Sequence, residues 1–155
     1  MISPELLRRF PFFGWIDSDY LREIALISEE QSYEKEVTLF EEGASADTLY
    51  FLITGSVDLF FSAREETRPA SHNDYYSGSI NPGEAFAISA LIEPHIYVAT
   101  ARTSVPSTIL TIDGKALRNI LDANPGFGYP MMEKIARVAL QRLTTTRIQL
   151  AAAWS

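Results

Sequence analysis

The centre of the sequence is a series of short β-rich runs separated by turn residues, and this series limits the fold more than any other feature. The turn residues Gly43, Thr54-Gly55 and Asn81-Pro82-Gly83 mark joints between runs. Strands of this length and spacing are typical of a sandwich, a roll or a barrel. The predicted strands are Val37–Phe40, Leu49–Thr54, Val57–Ser62, Tyr75–Ile80, Tyr97–Arg102 and Ser107–Ile112.

Helical patterns precede the β-rich centre. The apolar residues within 6–13 predict a first helix and a turn. Apolar residues recur at helical spacing within 20–27, and Asp17 or Ser18 precedes them as a candidate N-cap. The acidic and polar stretch 28–36 follows, and we assign no strand to it.

Helical patterns also follow the β-rich centre. Asp113 is the predicted cap of a short helix that ends at Asn124-Pro125-Gly126, and a long final helix comes after it. Helices, then strands, then helices predict a single α+β domain over residues 1–155. Its predicted parts are N-terminal helices (1–30), a β-rich body (31–112) and a hinge with a C-terminal helix (113–155).

Charge and composition exclude several classes of function. The chain has 155 residues, a net charge of −7 and no cysteine, which excludes disulfides, thiolate metal sites and cysteine nucleophiles. From Phe127 onward four bases stand against one acid, whereas the preceding sequence has nine bases and nineteen acids. Such an acidic body disfavours binding to nucleic acid. The sequence contains neither a run of about 18 apolar residues nor a signal peptide, so we expect a cytoplasmic protein without a membrane segment.

Catalytic and metal-binding chemistry finds little support in the sequence. The two histidines are His72 and His95, and Asp74 lies near the first of them. A transition-metal site needs more clustered ligands than these. Residues 71–74 include the residue types of a catalytic triad, but neighbours on one loop cannot converge in triad geometry. We therefore expect no enzyme activity, no metal and no cofactor.

The polar stretch 63–73 lies between two predicted strands and predicts a mobile hairpin tip.

The segment LFEEGASADTLYFLITGSVDL, from Leu39 to Leu59, resembles the front of the cyclic nucleotide-binding domain family, which includes the catabolite activator and kinase regulatory subunits. The matching features are the Glu42-Gly43 turn, Asp47 before a strand, and Gly55-x-Val57 at the start of the next strand. The resemblance implies a jelly-roll-like β-roll, a form of double-stranded β-helix, with N-terminal helices, a short cassette helix and a long C-terminal helix. It also implies a non-catalytic, ligand-sensing regulatory domain.

Pro82-Gly83-Glu84 resembles the start of the family's phosphate-binding cassette, and residues 86–91 resemble its short helix. Backbone N–H groups at a helix N-terminus attract anions, and the resemblance assigns to Glu84 the carboxylate that accepts a ribose hydroxyl. The implied ligand is cyclic AMP or cyclic GMP. The candidate ligand-binding residues are Gly83, Glu84, Ala85, Phe86, Ala87, His95, Tyr97, Val98 and Thr146.

The end of the cassette departs from the family pattern. Family members carry an arginine followed by Ser or Thr where this sequence has Tyr97 and Val98. Loss of a guanidinium removes a bidentate phosphate clamp, and one charge-assisted contact of this type contributes about 2–4 kcal/mol. We therefore predict a degenerate cassette with weakened affinity for cyclic nucleotides. His95 is a candidate replacement cation, but an exposed histidine is mostly neutral at pH 7.

Two further residues have both a ligand-related and a structural interpretation. Arg102 lies on the same predicted strand as Tyr97 with opposite parity, so we expect it to face the other side of the sheet and to form a surface or interdomain salt bridge. Thr146 resembles, by position, the threonine of the catabolite activator's C-terminal helix that contacts the base. It also lies on an apolar seam of that helix, which favours packing.

The seam of the long C-terminal helix predicts an interaction. Its members are Met132, Ala136, Ala139, Leu143, Thr146 and Leu150, spaced alternately four and three residues apart. We expect a parallel homodimer contact or a contact with a partner protein, and the alternative is a stripe that folds back on its own roll. Family members often append a DNA-binding helix-turn-helix, whereas this sequence stops at Trp154-Ser155, so direct DNA binding is not expected. The alternative functions are the sensor part of a transcription regulator and a ligand-free protein-interaction module.

Overall fold

Two antiparallel sheets of four strands form the roll at the centre of the molecule. The computed structural model describes residues 1–63 and 73–155, so the predicted hairpin tip lies, at 64–72, outside the described residues. The strands are β1 (Ser28–Tyr33), β2 (Thr38–Phe40), β3 (Thr48–Thr54), β4 (Val57–Ala63), β5 (Asn73–Ile80), β6 (Ala85–Phe86), β7 (Thr100–Thr103) and β8 (Ser107–Asp113). One sheet has the order β1-β8-β3-β6 and the other β2-β7-β4-β5.

Helices flank the roll at both ends of the chain. The helices are α1 (Pro4–Arg8), α2 (Ser18–Leu26), α3 (Gly114–Ala123) and α4 (Pro125–Ala153), and two 3-10 helices cover Pro11–Phe13 and Ile88–Leu91. Asp113 caps α3 as predicted, because its side chain accepts a hydrogen bond from the Ala116 amide. The α+β roll with terminal helices, expected from the sequence, is confirmed.

The first strand lies where the sequence predicts none. β1 occupies the acidic and polar stretch, so the roll begins at Ser28 and not at residue 31. Its described pairing is with β8 alone, and Glu29 and Glu30 are exposed. Charged residues on an edge strand discourage further pairing, and such a strand needs no apolar alternation.

The cassette differs from its predicted boundaries at both ends. Phe86 belongs to the short strand β6, and the helix that follows is a single 3-10 turn over Ile88–Leu91. β7 begins at Thr100, three residues later than the predicted strand that starts at Tyr97. Before β7, the chain is held by backbone hydrogen bonds from Gly43 N to Tyr97 O (2.8 Å) and from Tyr97 N to Ala44 O (2.9 Å).

β3 is buried on both of its faces. Residues 49–52 are all buried, which explains a continuous apolar run in place of an alternating one. One face carries Tyr50, whose ring stacks on Phe86 within the roll at a centroid distance of 5.2 Å. The opposite face carries Phe51, and the rings around it are those of Phe10, Phe12 and Phe13, at 5.5, 5.1 and 4.8 Å. This aromatic cluster fixes the N-terminal helices to the roll.

The turn between β3 and β4 requires a glycine. Gly55 has φ +104°, and a Cβ atom at this position would lie 2.7 Å from the Cα atom of Ser107. Gly43 also has a positive φ, +88°, but a Cβ atom there would meet nothing within 4 Å. Glycine at position 55 is therefore required both by conformation and by space.

α4 crosses α3 at very short range. A Cβ atom on Gly128 would lie 2.6 Å from the carbonyl oxygen of Leu121. The adjacent Phe127 ring stacks on Tyr20 of α2 at a centroid distance of 4.3 Å. The buried residues of α4 are Phe127, Gly128, Met131 and Ile135, so the packed part of this helix is its N-terminal part.

Candidate functional site

A cavity of about 760 Å³ lies between the roll and α4. This volume is within the range of roughly 300–1,000 Å³ that small-molecule sites occupy. Its apolar lining includes Phe40, Leu59, Phe61, Ile80, Ile88 and Val138. Its polar lining from α4 consists of Lys134, Arg137, Gln141, Arg142, Thr145, Thr146 and Gln149. The cavity therefore combines a largely apolar wall on the roll with a largely polar wall on the helix, in which three of the seven polar residues are basic.

Hydrogen bonds close the turn that begins the cassette and hold it to β3. The Glu84 carboxylate accepts a hydrogen bond from the Asn81 backbone N–H at 2.8 Å, and Gly83 N donates to Leu52 O of β3 at 2.8 Å. Ala87 then adopts φ +63° and leads into the 3-10 helix. One oxygen of Glu84 thus supports the turn, while Gly83, Glu84, Ala85 and Ala87 all line the cavity.

Tyr97, at the position where the family pattern has an arginine, is a packed and neutral side chain. It is 5% exposed, and its ring stacks on Phe40 at a centroid distance of 4.0 Å. Its hydroxyl donates to Thr48 O at 3.0 Å and accepts from Thr48 N at 3.2 Å. Burial raises the pKa of Tyr97, so the hydroxyl keeps its proton at neutral pH. The residue lines the cavity without offering a positive charge to an anion.

The other candidate residues divide between the cavity and the rest of the roll. Val98 and Thr146 line the cavity, and Val98 is 76% exposed. Phe86 is buried against Tyr50 and does not reach the cavity. His95 is half-buried outside the lining, in the loop before β7. The described geometry thus gives neither Phe86 nor His95 a contact with a molecule in the cavity.

Arg142 is one of several cavity residues that the sequence analysis misses, and Lys134 and Arg137 are others. It lies on α4, and its guanidinium donates a hydrogen bond across the cavity wall to the carbonyl oxygen of Ala85. Burial lowers the pKa of Arg142, and the charge of Glu84 opposes this effect. A signal was present in the sequence: Ile135, Val138 and Arg142 have helical spacing, so the arginine continues the face that packs on the roll.

The sequence matches the family model of the cyclic nucleotide-binding domain over residues 30–124. The chain belongs to this family. The match covers the roll from β1 onward, the cassette and α3. No curated protein sequence matches the chain.

Solved structures of cyclic nucleotide-binding domains and of regulators have the same fold. A protein from Geobacter metallireducens GS-15, described as a cyclic nucleotide-binding protein, is 36% identical with a TM-score of 0.79, and the match covers 92% of this chain and 99% of that one. The sensor domain of the transcriptional regulator DNR from Pseudomonas aeruginosa is 23% identical with a TM-score of 0.70, over 90% of each chain. The catabolite activator protein of Thermus thermophilus is 17% identical with a TM-score of 0.68, over 92% of this chain and 62% of that one.

The predicted seam of this cyclic nucleotide-binding domain divides along α4. Met132 and Ala139 are half-buried, whereas Ala136 is exposed. Leu143 and Leu150 are 46% and 56% exposed, and on the same helical stripe Leu140 is 62% and Trp154 84% exposed. Met132 packs against the core, as Met131, Ile135 and Val138 do, and Ala139 and Thr146 line the cavity. Part of the seam therefore faces its own domain, and the exposed part is Ala136, Leu143 and Leu150.

Arg102 of the domain faces outward, as its parity predicts, but it forms no salt bridge among the described residues. Its neighbours Ala101 and Thr103 are buried. The guanidinium lies over the ring of Phe60, 5.2 Å from the centroid, which is a cation–π contact. Within the part of the chain that the structure describes, the predicted surface salt bridge is therefore not formed, although Asp58 lies opposite Arg102 in the register of β4 and β7. The Asp58 carboxylate instead accepts a hydrogen bond from the Ser79 hydroxyl at 2.7 Å.

The described residues, 1–63 and 73–155, contain no group of three or more His, Cys, Asp or Glu side chains placed to bind a metal ion. Within the same residues, no helix has both the length and the hydropathy that crossing a membrane requires.

Proposed function

We propose that this domain is a non-catalytic sensor, in which a small ligand binds in the cavity and α4 carries the signal. The observation that supports this most is the position of the cavity, because its walls are the cassette on one side and α4 on the other. A molecule that enters the cavity contacts both walls at once. Ligand binding then favours the arrangement of α4 in which those contacts are made.

We further propose that the cassette is degenerate for cyclic nucleotides. Tyr97 is neutral, packed on Phe40 and hydrogen-bonded to Thr48, so the position that the family pattern gives to the phosphate-binding arginine carries no cation here. Calorimetric titration with cyclic AMP and cyclic GMP is expected to give dissociation constants about 30- to 1,000-fold weaker than those of a family member that carries the arginine. That member, titrated in the same buffer, is the control. Equal affinity for the two domains would contradict the degenerate cassette.

Dimerisation through α4 is also proposed. The stripe of Leu140, Leu143, Leu150 and Trp154 is exposed, and two such stripes can pack in parallel as a coiled coil. Size-exclusion chromatography with light scattering is expected to give the mass of two chains, and the double variant Leu143→Glu/Leu150→Glu is expected to give the mass of one.

The matched control is Ile148→Glu. Ile148 is 65% exposed on the same helix, but it points about 120° away from the stripe. This variant is expected to remain a dimer. A wild-type chain that is monomeric at every concentration rules out the dimer.

A second candidate function is the sensor part of a transcription regulator whose DNA-contacting part is supplied by another domain or chain. It is favoured by the fold shared with the sensor domain of DNR. A ligand-free protein-interaction module is the third candidate, and it predicts no binding of either cyclic nucleotide.

A further inference from the structure

The charges around the cavity are opposite in sign to those of the whole protein. The chain has a net charge of −7, yet the lining contains three basic residues, Lys134, Arg137 and Arg142, and one acid, Glu84. Glu84 already accepts a hydrogen bond from Asn81. The cavity is therefore a local basic site in an acidic protein, which favours an anionic ligand.

The basic residues differ in how they are neutralised. Arg137 forms an ion pair with Glu133 at 3.2 Å. Arg142 has no ion pair among the described residues, and its described hydrogen bond goes to an uncharged acceptor, the carbonyl of Ala85. A guanidinium has five N–H donors and binds carboxylate, sulfonate or phosphate oxygens in pairs. Arg142 thus has unused donors at the edge of the cavity and a partly desolvated charge, because the charge of Glu84 opposes the effect of burial on its pKa without cancelling it.

The basic residues that line the cavity therefore all come from α4. The segment before β7 contributes the ring of Tyr97, which packs on Phe40, whereas Arg142 of α4 donates a hydrogen bond to the Ala85 carbonyl. The apolar wall opposite α4 includes Phe40, Leu59 and Ile88. A matching ligand has one anionic head and an apolar body.

We propose that Arg142 binds the anionic head of a small organic acid whose apolar body lies on the roll side of the cavity, and that the guanidinium leaves the Ala85 carbonyl to do so. This inference rests on the proposed function, since the ligand must enter the cavity between the roll and α4. It adds the chemical class of the ligand and the residue that selects it. Because Arg142 is part of α4, the residue that recognises the anion is also part of the helix that responds.

Two fluorescent dyes test the proposal with the full chain. The first is 8-anilinonaphthalene-1-sulfonate, and the second is N-phenyl-1-naphthylamine, which has the same apolar body without the sulfonate. The wild-type protein is expected to bind the sulfonate dye about 10- to 100-fold more tightly than the neutral dye, because a hydrogen bond to a charged group adds this much. Arg142→Gln is expected to abolish that preference and to leave the affinity for the neutral dye unchanged.

Two further variants separate charge at this position from charge in general. Arg142→Lys keeps the charge without the paired donors and is expected to retain part of the preference. Arg147→Gln removes the same charge from an exposed position on α4 outside the cavity lining, and it is expected to behave like the wild type. Circular dichroism and thermal unfolding establish that each variant is folded before it is titrated.

The possible outcomes distinguish this inference from the proposed function. If Arg142→Gln keeps the preference for the sulfonate dye within twofold, or if the wild type binds both dyes equally, the role of Arg142 is wrong and the cavity remains a ligand site. If the wild type binds neither dye, the cavity is not a ligand site and both proposals fail.

Discussion

Replacing Phe51 with alanine is expected to lower the free energy of unfolding by about 3–5 kcal/mol, the usual loss for a large aromatic side chain in a packed core. Phe51 is fully buried, and three phenylalanine rings from the N-terminal segment surround it at centroid distances of 4.8 to 5.5 Å. Backbone on both sides prevents collapse into the space, because β3 lies between two paired strands. The substitution is also expected to weaken the packing of the N-terminal segment on the roll.

Urea denaturation followed by circular dichroism measures this change. Phe61→Ala is the matched control, because it removes the same side chain from a position that is 41% exposed, and its effect is expected to stay below about 1 kcal/mol. If both variants unfold at the same urea concentration, then the aromatic cluster does not hold the helices to the roll.

Gly55→Ala is expected to lower the free energy of unfolding by about 2–5 kcal/mol. One part of the loss is the positive φ, which costs a residue with a Cβ atom roughly 1–2 kcal/mol. The other part is overlap with the Cα atom of Ser107, which lies 2.7 Å from the added carbon, and overpacking of this type costs about 1–3 kcal/mol. Ser107 is paired through its backbone with Tyr33 of β1, so a shift of Ser107 to make room would disrupt this pairing.

Gly43→Ala separates the two contributions. Gly43 shares the positive φ, but an added Cβ atom meets nothing within 4 Å. Its expected loss is therefore the conformational part alone, about 1–2 kcal/mol. Equal losses for the two variants, measured by urea denaturation, would show that the close approach to Ser107 has no energetic consequence.

The strands with strong apolar character were predictable from sequence, and the weakly apolar one was not. β3 and β8 match their predicted ranges to within one residue at each end, because their side chains face the core and leave a clear pattern. β1 was missed because most of its residues are exposed on an edge. Hydrophobic periodicity reports burial, and a strand held mainly by its backbone hydrogen bonds to β8 has no such signal.

The cavity lining was predictable where the sequence could be matched along the chain to the family's cassette and last helix. Gly83, Glu84, Tyr97, Val98 and Thr146 line the cavity, whereas their contact with a ligand stays a prediction. Arg142 and Ala85 are separated by 57 residues, and nothing local to either residue indicates that they meet. Contacts of this kind depend on the angle at which α4 leaves α3, which periodicity alone does not specify.

The close approach of Gly128 to Leu121 holds the N-terminal part of α4 in place, so a change in the tilt of the helix displaces its C-terminal end most. The helix has 29 residues and is about 43 Å long, of which about 38 Å lies beyond Gly128. A tilt of about 5° at that point moves the far end near Ala153 by about 3 Å, roughly the width of one side-chain contact. Arg142 lies about 21 Å beyond Gly128 along the helix. If a ligand binds to Arg142 as proposed, a displacement of the helix there corresponds to one nearly twice as large at its C-terminal end.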